Sequence, residues 1–194
     1  MSTLDFYNEN AKKYFDTTVA ADMSKQYEMF LKYVHENGKI LDFGCGSGRD
    51  SLNFKKLGYN VSAIDGSEEL CKLAREYAGI DVKCMDFLDY EAKEKYDGIW
   101  ACASLLHLKR LELINVLNEL RKSLVQDGCL FVSLKNGDGE EITPDGKYYL
   151  YLPKKEFLDL SSDAGLQMVD YTSNKSNINP NETRFWHSFI LKKK

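Results

Sequence analysis

The chain has 194 residues, 43% hydrophobic and 29% charged, with a net charge of −4 and five cysteines. Its lysines are scattered apart from a Lys192-Lys193-Lys194 tail, which argues against the clustered basic face of a nucleic-acid binder. No run approaches the ~18 apolar residues of a membrane span, the first residues lack an export-signal pattern, and the widely spaced cysteines read as reduced thiols, so a cytoplasmic protein is expected.

Residues 1–36 read as one or two helices that hold an aromatic set, Phe6, Tyr7, Tyr14, Phe15 and Tyr27. KILDF (39–43) is a first predicted strand, followed by a helix over 50–57 that Gly58 stops. NVSAID (60–65) is a second strand. Ser67 caps the helix after it, and Glu68 and Glu69 suit that helix's first turn. Strands are expected at 81–87 and 96–104, then an amphipathic helix over 110–124 that the Asp127-Gly128 turn ends, then a strand at 129–135. The glycine- and acid-rich stretch 136–147 reads as a surface loop or short hairpin. A helix (154–165), a strand (166–172), a long polar loop and a final strand (183–192) complete the chain. Strand and helix patterns in alternation are the mark of a parallel α/β sheet. One domain is expected: a helical cover (1–36), a cofactor-binding core (37–135) and a substrate-side portion (136–194).

The most specific stretch is Ile-Leu-Asp-Phe-Gly-Cys-Gly-Ser-Gly at 40–48. An apolar run ends in Asp42, and Gly44, Gly46 and Gly48 follow at alternate positions. A strand, a glycine turn and a helix N-terminus bring backbone N–H groups close to a ligand. Asp42 would repel a pyrophosphate and welcome a ligand carrying an ammonium and a sulfonium. The stretch therefore reads as a site for S-adenosylmethionine rather than for a dinucleotide. Asp65, at the end of the second strand, is where a doubly wound fold places an acid for ribose hydroxyls. Asp86 with Phe87 after the third strand suits an adenine, an acceptor for its amino group beside a ring to pack on it.

Taken together these segments resemble the class I S-adenosylmethionine-dependent methyltransferases over residues 40–135, through ILDFGCGSG, VSAIDGS, VKCMDFLD, YDGIWACASLLHL and LRKSLVQDGCLFVSL. GSGRDSL and GYNVSAID are similar to the small single-domain enzymes of the tellurite-resistance type. The resemblance implies a Rossmann-like, doubly wound α/β fold, a seven-stranded sheet with its last strand antiparallel and an N-terminal helical cover. It also implies S-adenosylmethionine as cofactor. The backbone from Gly44 through Cys45 to Gly46, with Gly48, would hold the methionine part, and Asp42 would lie near its amino group. Asp65 would take the ribose, Gly66 and Ser67 would line the adenosine, and Asp86 and Phe87 would address adenine. The backbone around Ala103 would pass beneath the sulfonium, and Tyr14, in the pattern Tyr7-x-x-x-Ala11-x-x-Tyr14, would reach the methionine carboxylate.

Methyl transfer by in-line displacement needs mainly alignment and the exclusion of water. His107, just past the fourth strand, is the candidate for a base or an acceptor contact. Lys135 and Arg184 are candidates for receiving an anionic acceptor, as is Arg49 nearer the glycine turn, and convergence of two such cations would mark a carboxylate or phosphate. No metal is expected, although Cys45 and Cys102, at the ends of neighbouring strands, leave a metalloid-binding alternative open. The expected function is methyl transfer to a small-molecule acceptor, with neither nucleic acid nor membrane as partner. The alternatives are a binding module without catalysis, a methyltransferase acting on RNA or protein, or an NAD or nucleotide-sugar enzyme on the same sheet.

Overall fold

Four of the five residues of β1 (Lys39–Phe43) are fully covered, as in a central strand sandwiched between layers. The computed structural model describes residues 2–175 and 183–194. β1 lies parallel between β2 (Asn60–Asp65) and β4 (Tyr96–Cys102), which puts Asp42 opposite Ala63 and Trp100. The other strands are β3 (Val82–Cys84), β5 (Leu124–Lys135), β8 (Leu166–Asn174) and β9 (Trp186–Lys193). They complete a seven-stranded sheet of order β3-β2-β1-β4-β5-β9-β8, in which β9 runs antiparallel to both neighbours. The order reverses between β1 and β4, and a crevice for ligands opens beyond the carboxyl ends of the strands at such a point.

Period-two alternation divides the core. Ile40, Trp100, Phe131 and Ile190 face one side with Phe30 of α3 (Ser24–Leu31) and Phe54 of α4 (Arg49–Lys56). Trp100 and Phe131 stack there at 3.9 Å. Leu41, Ile99, Val132 and Phe189 face the other side with Leu113, Leu117 and Leu120 of α6 (Arg110–Ser123) and Phe157 of α7 (Lys154–Asp163). Each such fully buried side chain contributes roughly 2 kcal/mol of transfer free energy. α5 (Glu68–Ala78) packs Cys71 and Ala74 on Ala63 and Val82, and Ser67 caps it by accepting from Leu70 N.

Several boundaries differ from the sequence expectation, each for a local reason. The N-terminal segment holds three helices, α1 (Thr3–Glu9), α2 (Ala11–Thr18) and α3, the first opened by a capping box of Ser2 and Asp5. β3 stops at Cys84, and the Asp86 carboxylate instead accepts from Leu88 N and starts a 3₁₀ turn over Phe87–Asp89. β4 stops at Cys102 because Ala103 adopts φ +54°, out of the strand region. Asp127-Gly128 forms no turn. It lies inside β5, whose pairing with β4 jumps from Tyr96–Leu124 to Gly98–Cys129, so the signal read as a turn is a bulge.

Stretch 136–147 opens a hairpin whose strands are β6 (Gly139–Ile142) and β7 (Tyr148–Tyr151), the latter beyond the expected end. β8 extends to Asn174 and β9 starts at Trp186. Residues 176–182 of the expected polar loop lie outside the described residues. No helix among the described residues is long and apolar enough to cross a membrane.

Candidate functional site

Beyond β1 the chain doubles back over β2: Gly44 N and Cys45 N both donate to Ile64 O, at 2.9 and 3.0 Å. Gly44, Gly46 and Gly48 all hold positive φ, +88°, +52° and +76°. A Cβ on Gly44 would strike Ser104 Cβ, and one on Gly46 would press the Tyr14 ring at 3.1 Å. Gly48 is required for a different reason, since its Cβ would lie 3.0 Å from Ala74 Cα on α5. Asp65 ties the two turns together. Its Oδ2 accepts from Gly46 N at 2.8 Å and its Oδ1 from Ser67 N at 2.9 Å. Burial raises its pKa while those N–H groups oppose the shift, and each oxygen retains accepting capacity toward the cavity it lines.

That cavity, about 510 Å³, runs from Tyr14, Gly44 and Gly46 past Asp65 and Gly66 to Asp86 and Phe87. Ala103 and His107 close its other side. Ser104 Oγ lines it too, buried and without a hydrogen-bond partner. A run of glycine backbone, then one carboxylate, then a second carboxylate beside an aromatic ring fits an amino-acid tail, a ribose and an adenine in series. Ala103, a non-glycine residue held at φ +54°, has its amide fixed by donation to Ser133 Oγ at 2.9 Å. Such strain persists where surrounding bonds impose it, often at functional sites.

Four of the expected cofactor residues lie behind this wall. Asp42 is 1% exposed and accepts from Ser51 Oγ at 2.5 Å. Burial, with the Asp50 charge adding to it, pushes its carboxyl up to about 8. Cys45 packs beside Cys71, Gly48 packs against α5, and Ser67 caps α5 and donates to Asn8 Oδ1 at 2.8 Å. Arg49 forms an ion pair with Asp50 below α2. Arg184 lines neither this cavity nor the one adjoining it, and its guanidinium stacks 4.0 Å over the Tyr151 ring. No cluster able to hold a metal, from Cys45 and Cys102 or others, occurs among the described residues.

His107 sits where helix α1, the end of β4 and the hairpin meet. Its Nδ1 faces Tyr148 O at 2.7 Å and its Nε2 faces Tyr7 Oη at 2.9 Å. A carbonyl only accepts, so Nδ1 carries the proton and Nε2 takes the tyrosine's. Burial lowers its pKa to about 4, so the ring is neutral at ordinary pH. Burial raises the phenols of Tyr7 and Tyr14 well above their ordinary value, which keeps both protonated.

A second cavity of about 390 Å³ adjoins the first and shares Tyr7, Tyr14, Ala103 and His107 with it. Lys135 lines it, as expected for an acceptor-side cation, together with Lys147, Tyr149, Trp186 and Gln26. Sequence reasoning missed Tyr7 as a cavity residue in its own right, and missed Gln26 and the second strand of the hairpin, which lies beyond 147. The aromatic run Tyr148-Tyr149-Leu150-Tyr151 was the available signal for that strand.

Residues 40–128 match a protein-family profile described as a methyltransferase domain. Over 187 residues the chain is 27% identical to an uncharacterized methyltransferase of Staphylococcus carnosus, covering 92% of this chain and 88% of that protein. It is 26% identical over 129 residues to a probable S-adenosyl-L-methionine-dependent methyltransferase, TehB, of Haemophilus influenzae, covering 62% of this chain and 43% of that longer protein. Among solved structures, the Burkholderia thailandensis 1,6-didemethyltoxoflavin-N1-methyltransferase superposes with a TM-score of 0.79 at 19% identity. The match covers 98% of this chain and 84% of that one, which was solved with 1,6-didemethyltoxoflavin and S-adenosylhomocysteine bound.

Proposed function

We propose that this chain, which belongs to the class I S-adenosylmethionine-dependent methyltransferases, methylates a small-molecule acceptor held in the second cavity. The observation that carries the reading is the junction of two cavities at Tyr7, Tyr14, Ala103 and His107. One cavity has the polarity sequence of the cofactor. The other opens on its far side with room for a compact ring system. The toxoflavin-type acceptor of the structural relative is a small molecule too, which supports the same class here.

The residues present fit the cofactor. The Gly44–Gly46 backbone would hold the amino-acid tail, Asp65 the ribose hydroxyls, Gly66 the sugar face, and Asp86 with Phe87 the adenine. Tyr14, kept protonated, would donate to the tail's carboxylate. Asp42, Cys45, Gly48 and Ser67 would act from behind, by shaping the turn and seating α4 and α5. When bound, the cofactor would supply a methyl group on a sulfonium, with the thioether as the leaving group, for transfer to a lone pair of the acceptor.

The chain's contribution is alignment and exclusion of water. Ala103, strained and pinned by Ser133, fixes the floor between the cavities. His107 holds Tyr7 and Tyr148 together, and with its lone pair engaged and its pKa near 4 it is a weak base. Its work is therefore positioning. Lys147 is held by Asp145 at 3.1 Å, so Lys135 is the cation on this lining that would meet an anionic group on the acceptor.

Calorimetry with S-adenosylmethionine, S-adenosylhomocysteine and NAD tests the cofactor half of this reading. Binding of the first two is expected, and binding of NAD alone would overturn it. Label transfer from methyl-labelled cofactor to low-molecular-weight fractions of a cell extract tests the other half. Label found only in protein or RNA would refute a small acceptor.

A further inference from the structure

Two thiols meet behind Asp65. β3 is the edge strand beside β2, and its Cys84 pairs in register with Asp65. Period-two alternation puts Cys84 on the same face as Val82, which packs on Cys71 and Ala74 of α5. The Asp65 carbonyl accepts from the Cys71 thiol at 3.5 Å and from Met85 N at 2.9 Å. The Cys71 sulfur therefore lies at the seam between the two strands, beside the residue that precedes Met85. That residue is Cys84, and its thiol is in hydrogen-bond contact with the Cys71 thiol.

The two sulfurs differ in exposure. Cys71 is fully buried, whereas Cys84 is the exposed one of the five cysteines, all of which are among the described residues and carry free thiols. Burial raises the Cys71 pKa, so Cys84 is the thiol that a dissolved oxidant meets first. An accessible thiol poised next to a resolving cysteine is a common form of redox sensor.

We propose that Cys71 and Cys84 form a reversible disulfide in the presence of a hydroperoxide, and that the bond weakens cofactor binding in the first cavity. The second half rests on that cavity being the cofactor site. The Cys84 thiolate attacks one peroxide oxygen and the O–O bond breaks, leaving a sulfenic acid. The hydroxide released takes up the proton that Cys84 gave off and departs as water. The Cys71 thiolate then attacks the Cys84 sulfur, the S–O bond breaks, and the second hydroxide leaves as water with the Cys71 proton. The peroxide gains two electrons and the thiol pair loses two.

The bond would clamp the first turns of α5 to the end of β3. Ser67, whose N–H holds Asp65 Oδ1, lies one helical turn before Cys71. Asp86 and Phe87 follow Cys84 after a single intervening residue. A disulfide holds its sulfurs closer than any thiol contact, and it removes the S–H donor from the Asp65 carbonyl. Both changes shift the turn at Asp65–Ser67 against the turn at Asp86–Phe87, and the two carboxylates that line the first cavity sit on those turns.

The full chain is tested, and S-adenosylhomocysteine binding to the reduced protein is measured first by calorimetry. Hydrogen peroxide is then added, remaining thiols are alkylated, and peptides are mapped by mass spectrometry without reduction. A linked Cys71–Cys84 pair is expected. Affinity for S-adenosylhomocysteine should fall roughly tenfold or more and return with dithiothreitol. Cys84→Ser should bind like the reduced wild type and keep that affinity after peroxide. Oxidation of Cys84 without a bond to Cys71, or a bond that leaves affinity unchanged, would overturn the proposal. So would an equal loss of affinity in peroxide-treated Cys84→Ser. A reduced protein that does not bind S-adenosylhomocysteine would sink the cofactor reading instead, and the peptide map still decides whether the bond forms.

Discussion

His107 is uncharged at neutral pH because burial lowers its pKa to about 4, against 6.5 for the free side chain. Between those values the unfolded chain takes up a proton that the folded chain refuses. The stability His107 contributes is therefore complete above pH 6.5 and falls as pH drops toward 4, by about 3 kcal/mol in all at about 1.4 kcal/mol per unit. Asp42 works in the opposite sense. Burial holds its pKa at about 8 against 3.8, so the folded chain keeps a proton there and stability grows as pH falls through that window. The wild-type profile alone mixes the two, and the comparison with His107→Asn isolates the first. Urea unfolding from pH 7.5 to 4.5 should show a gap between the two proteins that narrows on acidification. A constant gap would mean that His107 does not resist protonation.

Helix α1 has no buried residue, yet Thr3, Leu4 and Tyr7 line the first cavity. Polar links attach it: Asn8 Oδ1 to Ser67 Oγ at 2.8 Å and to Glu69 N at 3.3 Å, Thr3 Oγ1 to Tyr148 N at 2.9 Å, and Tyr7 to His107. An element held this way contributes little to global stability and much to closing what lies beneath it. The double substitution Asn8→Ala with Thr3→Val removes three hydrogen bonds and should weaken S-adenosylhomocysteine binding at least tenfold and up to about a hundredfold, at about 1 kcal/mol net per bond. The melting temperature without ligand should move by no more than a degree or two. Calorimetry and thermal unfolding check both halves, and unchanged affinity would show that α1 does not close over the cofactor.

Across the whole molecule, the buried Asp50 carboxylate joins the N-terminal helices to the sheet. It accepts from Arg49 Nε and Nη2 at 2.6 and 2.8 Å, from Tyr27 Oη at 2.5 Å and from Trp100 Nε1 at 2.8 Å. Arg49 Nη1 in turn donates to Thr18 O at 3.2 Å. Residues from α2, α3, α4 and β4 thus share one charge. Asp50→Ala leaves the Arg49 guanidinium buried without its counter-charge and should cost roughly 3–5 kcal/mol in chemical denaturation. Adding Arg49→Met should recover a large part of that loss. Failure of the second substitution to help would mean that the penalty comes from the tyrosine and tryptophan bonds instead of from the stranded cation.

The sequence by itself determined the sheet and the glycine turn that the first cavity is built on, because both are written locally. Apolar runs bounded by glycine mark β1, β2 and β4, and the turn at 44–48 needs positive φ at three glycines. It misread Asp127-Gly128 for a similar reason, since a bulge and a turn use the same residue types. Only the tertiary structure decided that Asp42 and Ser67 face inward, that Arg184 stacks on Tyr151, and that Gln26 and Asn174 share one cavity. Tyr7 and His107 are 100 residues apart, and nothing in their own neighbourhoods implies the bond between them. Periodicity and turn chemistry act over a few residues and survive in the linear text. Convergence depends on how distant elements pack, and that is fixed only when the whole chain buries its surfaces together.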